Sequence, residues 1–357
     1  MSAASIADRP ARRPWTSSTV GLLAVMAPLA VALGVAPAAA ETIGGFCRQA
    51  GSANILPLTI DSATSVAQAL PAATLGADRA GHFASVARDG VAGSRLLVTG
   101  FRPAGATASS LATVDLDTGA VQLSTNPLPA AAFPGHSMIT IPGATPWAVL
   151  IAQDAGKIFH LDSTSYTDLN TRVFRVDVTT GTVTEQATIP FTFTSSVQRS
   201  RAQLFIDRTR PTVAFALQPC PLTVKQQLVR INLATTPWTV SLPINVPADY
   251  CLGAPGANAN RAFTLGTDGS LGAASQLVRI NTGTGGVSFL GTPPEGFRRF
   301  DASPYAYSRA TNLLYALNDT QTSLATYNLL TGDVTVAPFA VPAPCAPAGI
   351  TSLAVLP

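Results

Sequence analysis

One hairpin-like segment recurs along this chain, and no other feature constrains its fold as strongly. It reads PLTIDSATSVAQA from Pro57, LATVDLDTGAVQL from Leu111, VFRVDVTTGTVTE from Val173, LVRINLATTPWTV from Leu228, LVRINTGTGGVSF from Leu277 and LATYNLLTGDVTV from Leu324. An acidic or amide residue closes the first apolar run of each copy: Asp61, Asp115, Asp177, Asn232, Asn281 and Asn328, at intervals of 54, 62, 55, 49 and 47 residues. The flanks are rich in Val, Thr, Tyr and Leu, which suits strands. The Thr-Gly pair between them supplies the positive φ of a tight hairpin. An Asp or Asn beside the turn accepts hydrogen bonds from its backbone, which accounts for the marker residue.

Two further apolar runs precede these hairpins. They are FASVARDG and RLLVTGF in the second unit, SMITIPG and WAVLIAQ in the third, AQLFIDR and TVAFALQ in the fourth, and FDASPYAYS and NLLYALN in the sixth. In the fifth unit, NANRAFT reads as the start of the first strand. Each unit therefore predicts four antiparallel strands, and four strands in about fifty residues mark a β-propeller blade. The chain has 28 Gly and 28 Pro and no sustained 3.6-residue periodicity in its body, which excludes a helical solenoid. Two packed β-sandwiches leave six similar hairpins in one series unexplained.

The first unit has room for its second and third strands but not its first, while the chain runs past the last unit to GITSLAVLP. That tail reads as a first strand with no second strand after it. An open ring would leave unpaired edges. The expectation is an all-β chain: a six-bladed β-propeller of four-stranded antiparallel blades over residues 41–357, one domain, with the ring closed by the C-terminal strand joining the N-terminal blade near residues 42–47.

The blade pattern NLLYALNDTQTSLATYNLLTGDVTV resembles the secreted YVTN, quinoprotein-like and SMP-30-like β-propellers. The resemblance covers the chain beyond residue 40 and implies a superfamily and a fold. The tryptophan docking motif of quinoprotein propellers is missing, since that part of the chain has only Trp147 and Trp238. The resemblance to SMP-30-like lactonases brings to mind metal enzymes with acidic and amide ligands in the central channel, but no residue-by-residue match to those ligands is visible here.

Residues 1–40 read as a secretory signal peptide. Arg9, Arg12 and Arg13 precede the apolar run VGLLAVMAPLAVALGVA, and Ala38 and Ala40 fit the small-residue cleavage rule. The segment carries three Arg and one Asp, so its removal lowers the net charge from +3 to +1. That balance gives no footprint for nucleic acid or a membrane surface, and no second apolar stretch is long enough to span a bilayer. The destination is expected to be extracellular or periplasmic, and the chain a monomer. All four cysteines follow the leader, which suggests two disulfides in an oxidising compartment. Cys220 and Cys251 lie in loops that open on one face of a propeller, and are expected to pair. By the same logic Cys345, just before the closing strand, should meet Cys47.

Chemistry-bearing constellations are sparse. There is no G-x-S-x-G nucleophile turn, and PGHSM at 134–138 is a poor imitation. The three glutamates, Glu41, Glu185 and Glu295, form no evident pair. Asp115 and Asp117 alternate as in calcium loops but lack further acidic ligands, so turn capping explains them. No cofactor and no metal is expected. One set stands out. His82, His136, Arg201, Arg261 and Arg299 stand just before or at the start of the first strand of five units. In a propeller that strand is innermost, so these side chains would share one mouth of the channel and attract anions. The resulting expectation is a binder of a small anionic ligand, a carboxylate or an acidic sugar, or of a protein or glycan partner, with no reaction assigned. The alternatives are a lactonase-like hydrolase or lyase working in the channel, with or without a metal, and a structural cell-surface protein.

Overall fold

A computed structural model of the chain describes residues 40–79, 85–88, 95–128, 138–141, 147–153, 171–191, 203–207, 209–210, 212–218, 226–247, 251–252, 256–258, 261–267, 276–297, 304–308 and 310–356. The chain divides into the units Met1–Ala38 and Ala39–Pro357, and all described residues belong to the second. No described helix is long and apolar enough to cross a membrane.

The fold is all-β with its sheets in a propeller arrangement, and every pairing is antiparallel. Among the described residues the pairings divide into six sheets. Sheet I runs Cys345–Val355, Thr42–Gln49, Ile55–Asp61, Ala67–Ala69. In sheet II both Ala77–Arg79 and Ser85–Arg88 pair with Arg95–Pro103, followed by Ser110–Asp115 and Val121–Leu123. Sheet III is Met138–Ile141, Trp147–Gln153, Thr171–Asp177, Val183–Ile189. Sheet IV is Gln203–Ile206, Val213–Leu217, Gln227–Asn232, with Thr239–Val240 and Ile244–Asn245 sharing the outer edge. Sheet V has Cys251–Leu252 and Gly256–Asn258 along Arg261–Thr267, then Gln276–Asn281 and Val287–Gly291. Sheet VI is Tyr305–Ser308, Leu313–Leu317, Ser323–Asn328, Val334–Pro338.

Two readings are corrected here. The run beginning at Arg261 is the second strand of sheet V rather than the first, because Arg261 pairs with Asn281 beside the marker strand. A separation of 20 residues leaves room for one hairpin only, and the first strand is supplied upstream by two fragments of two and three residues. Cys251 is accordingly a strand residue rather than part of a connection.

Each sheet is packed on both faces, so its inner strands are nearly continuous apolar runs. In Leu228–Asn232, Val229 and Ile231 join a cluster with Val173 and Ile189 of sheet III, while Leu228 joins Val278 and Ile280 of sheet V. Further clusters lie between sheets I and II, around Phe46, Leu97 and Phe101, between II and III, around Val98, Met138 and Phe174, and between V and VI, around Leu277 and Tyr327. Another joins VI to I through Tyr315, Leu324, Leu56 and Leu353. Burying one such side chain contributes on the order of 1.5–3 kcal/mol.

The marker residues act as the sequence predicts. Oδ1 of Asp115 accepts from the backbone N–H groups of Asp117 and Thr118 at 2.8 and 3.0 Å, and Asp61, Asp177, Asn281 and Asn328 each repeat the pair of bonds. Asn232 accepts from Ala234. These turns also lock neighbouring sheets together. Gly181 (φ 71°) lies against the outer strand of sheet II, where an added Cβ would come within 2.3 Å of Asn126 O, and Asn126 N donates to Thr180 O at 2.8 Å. Gly285 (φ 73°) abuts Asn245 O of sheet IV in the same way.

The two ends of the described chain meet in sheet I. Ile43 lies opposite Val355 and Cys47 opposite Ile350. Cys47 and Cys345, both buried, form a disulfide across a separation of 298 residues. Glu41 reaches sheet VI: its carboxylate accepts from Ser308 Oγ, from Thr311 Oγ1 at 3.1 Å and from Tyr315 OH at 2.7 Å. Cys220 lies outside the described residues, and its pairing with Cys251 with it.

Candidate functional site

The first strands of the sheets lie side by side. Cys345–Val355 neighbours Ser85–Arg88, which neighbours Met138–Ile141, then Gln203–Ile206, Gly256–Asn258 and Tyr305–Ser308, and the last of these lies against Cys345–Val355 again. This succession is the inner surface on which a mouth can be built.

His136 precedes Met138, and Arg201 precedes Gln203, by two residues each. His82 precedes Ser85 by three, and Arg299 precedes Tyr305 by six. His82, His136, Arg201 and Arg299 lie outside the described residues. Arg261 opens a second strand and so stands at the far end of sheet V from the start of its first strand. Among the described residues of the inner strands, Tyr305 is half-buried and burial raises its phenol above the ordinary range. Ser352 is buried, and its Oγ has no hydrogen-bond partner.

The described residues hold no group of three or more His, Cys, Asp or Glu placed to bind a metal ion. Two clusters escaped sequence reasoning. Asp207 is fully buried at the turn after Gln203–Ile206, where it accepts from Thr209 Oγ1 at 2.6 Å and pairs with Arg210 at 2.6 Å. Desolvation pushes its carboxyl up, but the bonds from Thr209 and Arg210 outweigh it and the net shift is downward. The signal, DRTR, looks like an ordinary turn. The second is a row of arginines two positions before the marker: Arg175, Arg230 and Arg279 in sheets III, IV and V, where Thr59, Thr113 and Thr326 occupy the same position in sheets I, II and VI. Aligning the repeats is enough to find it.

No family model matches the chain, and no curated protein matches it in sequence. Solved structures do. A proposed 6-phosphogluconolactonase from Bacteroides fragilis NCTC 9343 aligns over 88% of this chain and 98% of its own at 8% identity, with a TM-score of 0.51. A second, from Bacteroides uniformis ATCC 8492, aligns over 88% and 99% at 10% identity and a TM-score of 0.49. An oligogalacturonate lyase in complex with manganese aligns over 83% and 77% at 14% identity and a TM-score of 0.46. At these identities the likeness is one of fold, and the first of the three carries it.

Proposed function

We propose that the chain is an exported six-bladed propeller, its ring closed by Cys345–Val355, that binds a small anionic ligand where its innermost strands begin. The observation that carries this reading is the unbroken succession of first strands, with Tyr305–Ser308 returning to Cys345–Val355. Such a succession turns residues that are remote in sequence into neighbours at one mouth. His82, His136, Arg201 and Arg299 precede four of these strands. A planar guanidinium fork suits a carboxylate or phosphate, and walls that limit solvent strengthen the attraction. The Cys47–Cys345 bond fits an oxidising compartment outside the cytoplasm, reached through a leader over residues 1–40.

The test is calorimetric titration of the full-length mature chain with galacturonate, gluconate and a sugar phosphate. Binding should tighten as pH falls through about 6.5, where imidazole gains its proton. The double variant His136→Ala/Arg201→Ala should lose at least about tenfold in affinity, while Arg261→Ala should leave it unchanged; tenfold corresponds to about 1.4 kcal/mol. Unchanged binding by the double variant removes the site.

A second reading, hydrolysis of an anionic sugar lactone at the same mouth, draws on the fold shared with the proposed 6-phosphogluconolactonase. Lactone opening followed by NMR, with and without added divalent metal, separates the two. Turnover above the uncatalysed rate favours the enzyme, and binding without turnover favours the receptor.

A further inference from the structure

The row of arginines found by aligning the repeats lies outside the proposed mouth and shares no residue with it. Arg175 and Arg230 are exposed and Arg279 is half-exposed. Alternation along a strand puts residues two apart on the same side. Val173, two before Arg175, packs into the core shared with sheet IV. Leu228, two before Arg230, packs into the core shared with sheet V, and Leu277, two before Arg279, into that shared with sheet VI. Each arginine therefore sits on the side of its sheet that looks toward the next, at one register, in three consecutive sheets.

The surroundings of the row are as regular as the row itself. A hydroxyl residue stands beside each arginine: Arg175 pairs with Thr184 and Arg279 with Ser288 of the outer strands, and Ser241, between the two edge strands of sheet IV, donates its N–H to Arg230 O at 2.9 Å. Neither Arg230 nor Arg279 has a carboxylate partner among the described residues. Residues 226–247 and 276–291, the outer halves of sheets IV and V, contain no Asp or Glu. In sheets I to III the markers are the acids Asp61, Asp115 and Asp177; in IV to VI they are Asn232, Asn281 and Asn328. In sheets IV and V the arginine thus stands beside a turn that carries no negative charge, whereas in sheet III Arg175 keeps Asp177 as its neighbour.

From this arrangement we infer that the outer halves of sheets III to V form a second binding surface, one that holds an extended acidic polysaccharide. The row offers one guanidinium per sheet at repeating positions, which suits a linear polymer that carries carboxylates along its length. The neighbouring hydroxyls of Thr184 and Ser288 suit sugar hydroxyls, while that of Ser241 is held by Arg230 N and Leu242 O. Surfaces that hold single-stranded nucleic acid interleave cations with stacking aromatics, and the residues beside this row are hydroxylic instead.

The repeat itself supplies a substitution compatible with the fold, because three sheets already carry Thr at this position. The mature protein, Arg230→Thr/Arg279→Thr and Arg175→Thr/Arg230→Thr/Arg279→Thr are compared by affinity electrophoresis in gels containing polygalacturonate, with neutral dextran and single-stranded DNA as the other probes. Wild-type protein should be retarded by polygalacturonate and not by dextran, and the retardation should weaken with salt. The double variant should lose about tenfold in affinity and the triple variant nearly all of it, with melting temperatures unchanged. Thr326→Arg, which extends the row into sheet VI, should bind more tightly than wild type. Equal retardation of the triple variant, retardation by dextran, or tighter binding to DNA than to polygalacturonate would overturn the inference. Ligand binding at the mouth is untouched by these variants, so the two sites fail or stand separately.

Discussion

Gln321 holds both backbone groups of Ile350: its Nε2 donates to Ile350 O at 2.7 Å, and its Oε1 accepts from Ile350 N at 2.9 Å. The pair is buried and links the turn before Ser323–Asn328 in sheet VI to the C-terminal strand in sheet I. It sits where the pairing of Cys345–Val355 with Thr42–Gln49 shifts register, a place where backbone groups need another partner. Gln321→Leu removes both bonds and leaves the two Ile350 groups buried without partners. A loss of about 2–4 kcal/mol is expected, read from urea unfolding midpoints at constant slope.

Deleting residues 349–357 removes most of that strand and uncovers the cluster around Leu56, Ile60 and Leu353. Such a chain should melt far below the intact one, unlike a protein trimmed of an exposed tail. Identical melting curves would mean that sheet I does not depend on its borrowed strand.

The Cys47–Cys345 bond should resist reductant in the folded protein, since both residues are buried. The pair Cys47→Ala/Cys345→Ala should lose up to about 5–6 kcal/mol in the loop-entropy picture, less any strain that the bond imposes. Peptide mapping without reductant provides the direct check, and Cys47 joined to Cys220 or Cys251 would contradict it.

The first hairpin departs from its relatives at Ser65, which takes φ 57° where other copies place a glycine such as Gly181 or Gly285. A side chain in that region is strained. Ser65→Gly should therefore gain about 0.5–1 kcal/mol. Gly181→Ala should lose more than that, because its Cβ would meet Asn126 O as well as an unfavourable φ. Thermal melts of the two variants should move in opposite directions.

Acid sensitivity follows from the markers. Backbone N–H groups of the turn, led by that of Thr64 for Asp61 and of Thr118 for Asp115, hold both carboxyls below the ordinary value. A lowered folded pKa means that the ionised form favours the fold. Its contribution is complete above the ordinary carboxylate pKa of about 4, and is lost as pH falls through the lowered values. Asp61→Asn/Asp115→Asn, which copies the residue used by sheets IV to VI, should flatten the decline in stability below about pH 4. A decline as steep as that of wild type would show that these turns do not set it.

What was legible in the sequence was local. The markers declare themselves because an Asp or Asn bonds to its own turn two and three residues away. Cys345 stands just ahead of a strand that needs a partner, so its bond to Cys47 could be reasoned from topology. The first strand of sheet V could not be read, since fragments of two and three residues within CLGAPGAN carry no alternation. Gln321 looked like one more polar turn residue because its partner is 29 positions away. Glu41 was set aside for lack of a nearby carboxylate, whereas its partners are hydroxyls that arrive from sheet VI. Arg261 was misplaced because a strand start looks alike whichever strand of the sheet it opens.

The pairing of Ile43 with Val355, together with the bond from Leu356 N to Thr42 O at 2.8 Å, leaves residues 42 and 356 side by side. A short Gly-Ser bridge from residue 356 to residue 42 should therefore be accepted, with new termini cut between Phe339 and Val341. In that circular permutant sheet I becomes a plain meander, read from its first strand to its fourth in sequence order. In the present order 298 residues separate Cys47 from Cys345, so the pairing of these two strands must close a very long loop. The permutant makes that pairing local, and comparing refolding rates of the two would show how much of the folding time is spent closing the loop.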